Sequence, residues 1–243
     1  MNDSLVVQVF QWLTDGDNWT GDDGIAARLL EHIGLVAASL GIACLIAIPL
    51  GLWLGHIRRG RTVVINIANM GRAIPVYALL VLLAIGPLGL GTPSTLVALV
   101  LFGVPPILTN THTGVMEVDQ EIVEAARGMG MSGSQLLMRV EAPLASPLLL
   151  TGVRLSAIQV VGTATIAALV AGGGLGRIIT AGFARQDLPQ LVSGALLVAL
   201  LAVAVELLFA LFVKLAARRS QGAVTPAVEH ELVLPTATVG VNR

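Results

Sequence analysis

Five stretches of this chain are too long and too apolar for anything but membrane-spanning helices: residues 30–55, 63–86, 92–114, 146–171 and 189–215. A bilayer core of about 30 Å is crossed by about 20 helical residues. Because lipid offers backbone amides no hydrogen-bond partner, each stretch has to satisfy its own amides as an α-helix. The expected fold class is therefore an all-α integral membrane protein with about five transmembrane helices, the second interrupted at Arg72 and Pro75. Only 12% of the residues are charged and 55% are hydrophobic, whereas soluble domains carry about a quarter charged residues. Net charge is −1 with no basic block, which excludes a nucleic-acid partner, since phosphates are neutralised by clustered Lys and Arg. The lipid bilayer is the expected surroundings.

Basic residues stay on the cytoplasmic side of a membrane. Five spans place Arg58, Arg59, Arg61, Arg127, Arg139, Lys214, Arg218 and Arg219 on one side, and only Arg28, Arg177 and Arg185 on the other. The N-terminus is thus expected outside and the C-terminus inside. Trp12, Trp19 and Trp53 fall near span ends, where amphipathic rings prefer to lie. No basic residue precedes Arg28, whereas Asp3, Asp15, Asp17, Asp22 and Asp23 do; a cleavable leader begins with positive charge, so the N-terminal segment is expected to remain on the mature protein. The single cysteine, Cys44, can form no intrachain disulfide and no CxxC motif. The chain divides into an extracytoplasmic segment 1–29, a membrane domain 30–217 with a cytoplasmic loop at 115–145, and a polar tail 218–243 expected to be flexible.

That loop holds the most specific pattern in the chain. Glu124-Ala125-Ala126 is followed after three residues by Gly130, and after nine more by Val140, Glu141, Ala142 and Pro143. Residues 117–127 read as a short helix with Glu117, Glu121 and Glu124 outward, and with Ala125 and Ala126 small enough for close approach to a partner groove. Gly128 and Gly130 can take positive φ and end it. Ser132 with Gln135 has the spacing of a capping box for the next helix, and Pro143 is expected to break that helix before the fourth span. A Glu-Ala-Ala triplet alone suits any helix; the spacing to Gly130 and Pro143 is what sets this one apart.

The pattern resembles the EAA signature of ABC importer permeases, with Val140 in place of Ile and Ala142 in place of Leu. Gly71-Arg72-Ala73-Ile74-Pro75, Ile48-Pro49-Leu50-Gly51 and Ala171-Gly172-Gly173-Gly174-Leu175-Gly176 extend the likeness over most of residues 30–215, which is most similar to the osmoprotectant permeases for glycine betaine, carnitine or choline. The resemblance implies the type I ABC importer transmembrane fold in a bacterial inner or plasma membrane. It also implies two cytoplasmic ATP-binding subunits gripping the 115–145 loop, a second permease subunit, identical or paralogous, and an extracytoplasmic solute-binding protein. Glu124, Ala125, Ala126, Gly130, Val140 and Pro143 would form the coupling surface.

No cofactor or metal is expected on this chain, and no catalytic residue. A phosphate-binding P-loop needs GxxxxGK followed by Ser or Thr, and the only lysine is Lys214. ATP and Mg²⁺ belong to the partner ATPase. The glycines at 172–176 follow a membrane helix rather than a strand, which removes a dinucleotide-binding reading.

Candidates for a translocation path or gate are Arg72, Pro75, Gln159, Thr163, Gly172, Gly173, Gly174 and Gly176. A charge at the depth of Arg72 has to face a bundle interior or a wet cavity, and two readings stand, a path residue or a brace paired with another group. Glu206 is too far from Lys214 for a pair within one turn, and Arg154 is its expected partner. Asn110, Thr111, His112 and Thr113 form a polar cluster, and Gln159, Thr163 and Thr165 a stripe, of the kind that joins helices or lines a path. The segment from Gly172 to Asp187 is too poor in apolar residues to cross again; it reads as a re-entrant gate or a docking surface, with Leu175, Ile178, Ile179 and Phe183 in need of burial. Three rivals remain at this stage: another solute such as methionine or an organic sulfonate, an ion-coupled secondary transporter, and a membrane scaffold that moves nothing.

Overall fold

The computed structural model describes residues 4–221, apart from the side chains of Met70, Arg72 and residues 215–221. A short amphipathic helix α1 (Leu5–Thr14) and a 3₁₀ turn (Gly16–Trp19) precede α2 (Ile25–His56). There follow α3 (Arg61–Ala73), α4 (Val76–Ile85), α5 (Thr92–Met116) and α6 (Gln120–Gly128). The chain then runs through α7 (Gly133–Leu136), a π turn (Leu137–Glu141), α8 (Ala142–Ala167), a 3₁₀ turn (Ala168–Val170), α9 (Gly176–Arg185) and α10 (Leu188–Gln221). The helix α1 lies where the sequence predicts no element, and α2 begins at Ile25, inside the expected N-terminal segment 1–29.

Among the described residues, four helices are long and apolar enough to cross a membrane: α2, α5, the continuous rod Gly133–Val170, and α10. The stretch 63–86 does not form a single crossing helix. It is split into α3 and α4, of 13 and 10 residues, or about 20 and 15 Å at 1.5 Å per residue. The physical reason is Pro75, which caps α4 with φ −63° and ψ 123°. Its ring pushes Ile74 out of the α region, and Pro75 has no N–H to continue the ladder.

The centre of the bundle is α5, packed between α2 and α8. Gly51 and Gly55, one turn apart on α2, meet Thr111 and Val115, one turn apart on α5; a Cβ on these glycines would lie 2.7 Å from Thr111 Cβ and 2.6 Å from Val115 Cβ. Small residues at this spacing let membrane helices approach to backbone contact. Leu35, Val36 and Leu99 join Val160, Val161 and Ala164 in one apolar cluster, and Ala43, Ala47, Val64, Ile107 and Leu108 form a second.

Pro105 and Pro106 lie inside α5 without ending it. Their missing N–H groups leave the carbonyls of Leu101 and Phe102 without their usual partners four residues on. Gln159 Nε2 of α8 donates to the Phe102 carbonyl at 3.4 Å, and Ser156 Oγ donates to the Gly103 carbonyl at 2.9 Å. Side chains from the neighbouring helix thus support the weakened turn. On the outside of the bundle, Leu196, Leu200, Val203, Leu207 and Leu211 of α10 remain exposed, as residues facing lipid or another subunit do.

Candidate functional site

Three regions carry the sequence candidates. In the first, Asp119 Oδ1 accepts from the Glu121 N–H at 2.9 Å and starts α6, so the helix begins at Gln120 rather than 117. It ends in a paired turn in which Met131 N–H donates to Ala126 O at 3.2 Å and Gly130 N–H to Arg127 O at 2.9 Å. This closure requires a left-handed residue, and Gly130 supplies it at φ +83°. Gly128 stays helical. The expected capping box is present: Gln135 N–H donates to Ser132 Oγ at 3.4 Å and Ser132 N–H to Gln135 Oε1 at 2.9 Å.

The two alanines of the motif part company. Ala126 is buried with Val118, Val123 and Leu136, and Val140 packs against the same cluster. Ala126 therefore holds the loop's own core and is not free for a partner. Ala125 is exposed beside Glu124, and Ile122 and Met129, 45% and 75% exposed, lie on its face of the helix at helical spacing. Pro143 also departs from expectation. It occupies the first turn of α8, and the rod from Gly133 to Val170 runs on past it, because the wide π turn Leu137–Glu141 just before it takes up the ring.

Sequence reasoning missed the tie that anchors this loop. Glu141 is 1% exposed, and one of its carboxylate oxygens lies 2.5 Å from Nδ1 of His56, the last residue of α2. A carboxylate in the one unspecified position between Val140 and Ala142 was the available signal.

The second region is a cavity of about 250 Å³ between α3, α5 and α8, lined by Ala68, Gly71, Pro105, Pro106, Thr109, Asn110, Leu155 and Gln159. Asn110 Nδ2 donates to Pro106 O at 2.8 Å, and Thr109 Oγ1 is buried with no protein partner among the described residues. Gln159 lines this cavity. Thr163 does not: it is buried, outside the lining, and its hydroxyl donates to Gln159 O at 2.8 Å within its own helix. Pro75 is exposed and outside the cavity. Arg72 is the next-to-last residue of α3, but its side chain lies outside the described residues. Arg154 of α8 donates to Glu206 of α10, through Nε at 3.0 Å and through NH2, so the expected partnership across helices is made.

In the third region Gly172, Gly173, Gly174 and Gly176 are all buried, at the end of the bundle opposite α6. Gly174 N–H donates to Glu31 Oε2 at 2.8 Å. Leu175 N–H donates to His32 Nδ1 at 3.3 Å, while His32 Nε2 faces Val161 O at 3.2 Å. A Cβ on Gly173 would fall onto the Glu31 carboxylate, and one on Gly174 within 2.7 Å of His32 Nδ1. The segment is locked against α2 rather than loosely strung. Leu175 and Ile178 are buried with Ile25, as their apolarity requires, but Phe183 is 76% exposed.

Residues 47–222, well over half of the chain, match the family described as the binding-protein-dependent transport system inner membrane component. The chain belongs to this family. The choline transport system permease protein OpuBB of Bacillus subtilis (strain 168) is 37% identical to the permease over 185 residues, covering 75% of this chain and 84% of the relative. The glycine betaine/carnitine/choline permease protein OpuCB of the same organism is 37% identical over 179 residues, covering 74% and 81%. An inward-facing MetNI methionine ABC transporter superposes with a TM-score of 0.68 at 24% identity, covering 77% of this chain and 93% of that one. That likeness bears on the fold, which is the type I ABC importer transmembrane fold. The permease is thus a multi-pass transport component of the bacterial inner membrane and not an enzyme; the family implies ATP-binding subunits and a solute-binding protein beside it.

Proposed function

We propose that the permease forms the path for osmoprotectants, glycine betaine, carnitine or choline, in an ATP-driven importer. In this reading two permease subunits, identical or paralogous, stand side by side with the N-terminus outside and the C-terminus inside. Two ATP-binding subunits seat the Ile122, Ala125 and Met129 face of α6, flanked by Glu124, in their own grooves. The observation that carries the coupling role is that this exposed face belongs to an element fixed to the span ends, through the Val123 and Ala126 core and the Glu141–His56 tie. A rigid handle can pass a push on to α2 and α8, whereas a floppy loop cannot. The handle switches the bundle only because ATP and the loaded binding protein favour different states.

The path runs past Gly71, Asn110 and Gln159, whose cavity offers amide groups and, among the described residues, no charge that would trap an ammonium ion. The gate is drawn at Gly172, Gly173, Gly174 and Gly176. The solute class rests on the relatives named for choline, carnitine and glycine betaine. The decisive experiment is reconstitution of the permease with its ATP-binding subunits and its binding protein in proteoliposomes. ATP-dependent accumulation of labelled glycine betaine, carnitine or choline is expected. Uptake that persists without ATP and collapses with an uncoupler would overturn the reading in favour of a secondary transporter.

A further inference from the structure

A groove of about 670 Å³ opens between the Asp15–Gly24 turn, the start of α2, and α9 with the beginning of α10. Its walls carry Trp12, the carboxylates of Asp17, Asp22, Asp23 and Asp187, and the guanidinium groups of Arg28, Arg177 and Arg185. Both signs of charge share one concave surface, yet they do not cancel within it. Arg28 is spent on Asp23 and Glu31, whereas Arg177, Arg185, Asp17, Asp22 and Asp187 have no ion pair among the described residues. The two free guanidinium groups lie near enough to Asp23 to help Arg28 hold its carboxyl below the usual range.

Unpaired guanidinium groups are fitted to a carboxylate, which accepts their N–H donors two at a time. An indole beside a free carboxylate is fitted to an alkylammonium ion, attracted by the ring quadrupole and the negative charge together. A simple anion would be repelled by Asp22 and Asp23, and a simple cation by Arg177 and Arg185. A small molecule bearing both charges satisfies both walls.

We infer that this groove is a low-affinity vestibule for a small zwitterion, its carboxylate held by Arg177 and Arg185 and its quaternary ammonium beside Trp12 and Asp22. The assignment rests on the osmoprotectant reading above and deepens it. With one aromatic wall in place of a closed cage, binding is weak, as a site that passes solute onward requires. Carnitine and glycine betaine carry a carboxylate and choline does not, so the groove favours the first two.

The test is equilibrium binding of labelled carnitine and choline to the permease–ATPase complex in nanodiscs, without the binding protein, beside uptake by the complete system in proteoliposomes. The Arg177→Gln/Arg185→Gln pair is expected to weaken carnitine binding about ten-fold or more, the scale of lost charge-assisted hydrogen bonds, and to strengthen choline binding, because the groups that repel a simple cation are gone. Asp22→Asn is expected to weaken both solutes. The opposite responses of the two solutes in the arginine pair cannot arise from misfolding, which would lower both together. Absence of carnitine binding to the wild type overturns the vestibule, and so does a wild-type affinity in the arginine pair. Loss of uptake with undiminished carnitine binding in the arginine pair also overturns it, and makes the groove a docking face for the binding protein. If the complete wild-type system accumulates none of the osmoprotectants, the solute assignment fails by a separate readout.

Discussion

His56 at the end of α2 and Glu141 in the π turn before α8 face one another at 2.5 Å, joining two crossing helices at the root of the loop that carries the family signature. Glu141 is buried at 1% exposure and His56 is the group that meets it. Removing one partner strands a polar group away from water, at a cost of about 1–3 kcal/mol. His56→Ala is therefore expected to lower the unfolding temperature of the purified permease, and the His56→Leu/Glu141→Leu pair to recover most of the loss. A double variant as unstable as the sum of the single ones would contradict this tie.

Gly130 stands at φ +83° with open space around the position a Cβ would take. The cost of Gly130→Ala is therefore purely that of left-handed backbone, about 1–2 kcal/mol, and falls on the end of α6. Insertion and abundance should be preserved while uptake drops and ATP hydrolysis loses its dependence on the loaded binding protein. Glu124→Lys should do the same by reversing the charge of the exposed face. Full uptake in both variants would remove the coupling role from the loop.

Ala125 and Ala126 should respond in opposite ways. Ala126→Glu places a charge in the cluster of Val118, Val123 and Leu136 and is expected to destabilise the loop itself, seen as protease cleavage between 117 and 133. Ala125→Glu leaves the fold alone and weakens crosslinking to the ATP-binding subunit. Equal crosslinking losses without cleavage in either case would show that the face has been drawn wrongly.

Gly173→Ala sets a methyl on the Glu31 carboxylate, so the turn can close only if that side chain moves. Uptake should be lost, and Glu31→Ala in the same chain should restore part of it by making room. Rescue fails if the glycine is needed for motion rather than for close approach, which makes uptake by the double variant the deciding measurement.

Arg154 and Glu206 join α8 to α10. Either single change to a neutral residue is expected to destabilise by about 1–3 kcal/mol, since the group left behind loses its hydrogen-bond partner in an apolar setting. The exchanged pair Arg154→Glu/Glu206→Arg should regain stability if the contact is a brace. Thermal unfolding of the three variants beside the wild type separates these cases.

The residues themselves determined several features that act within a few positions along the chain. The apolar runs demanded helices, Pro75 demanded the break between α3 and α4, Gly130 the left-handed turn, and Ser132 with Gln135 the capping box, because each effect is a matter of local backbone hydrogen bonding and φ. Only the tertiary structure decided which of Ala125 and Ala126 faces outward, that a π turn carries the helix past Pro143, that Glu141 meets His56, that Phe183 stays uncovered, and that the glycines at 172–176 press on Glu31 and His32. The reason is that a helix in lipid is apolar on every side. Its sequence therefore carries little periodic mark of which face meets another helix and which meets lipid, and those contacts are chosen when small residues and stray polar groups find their partners across the bundle.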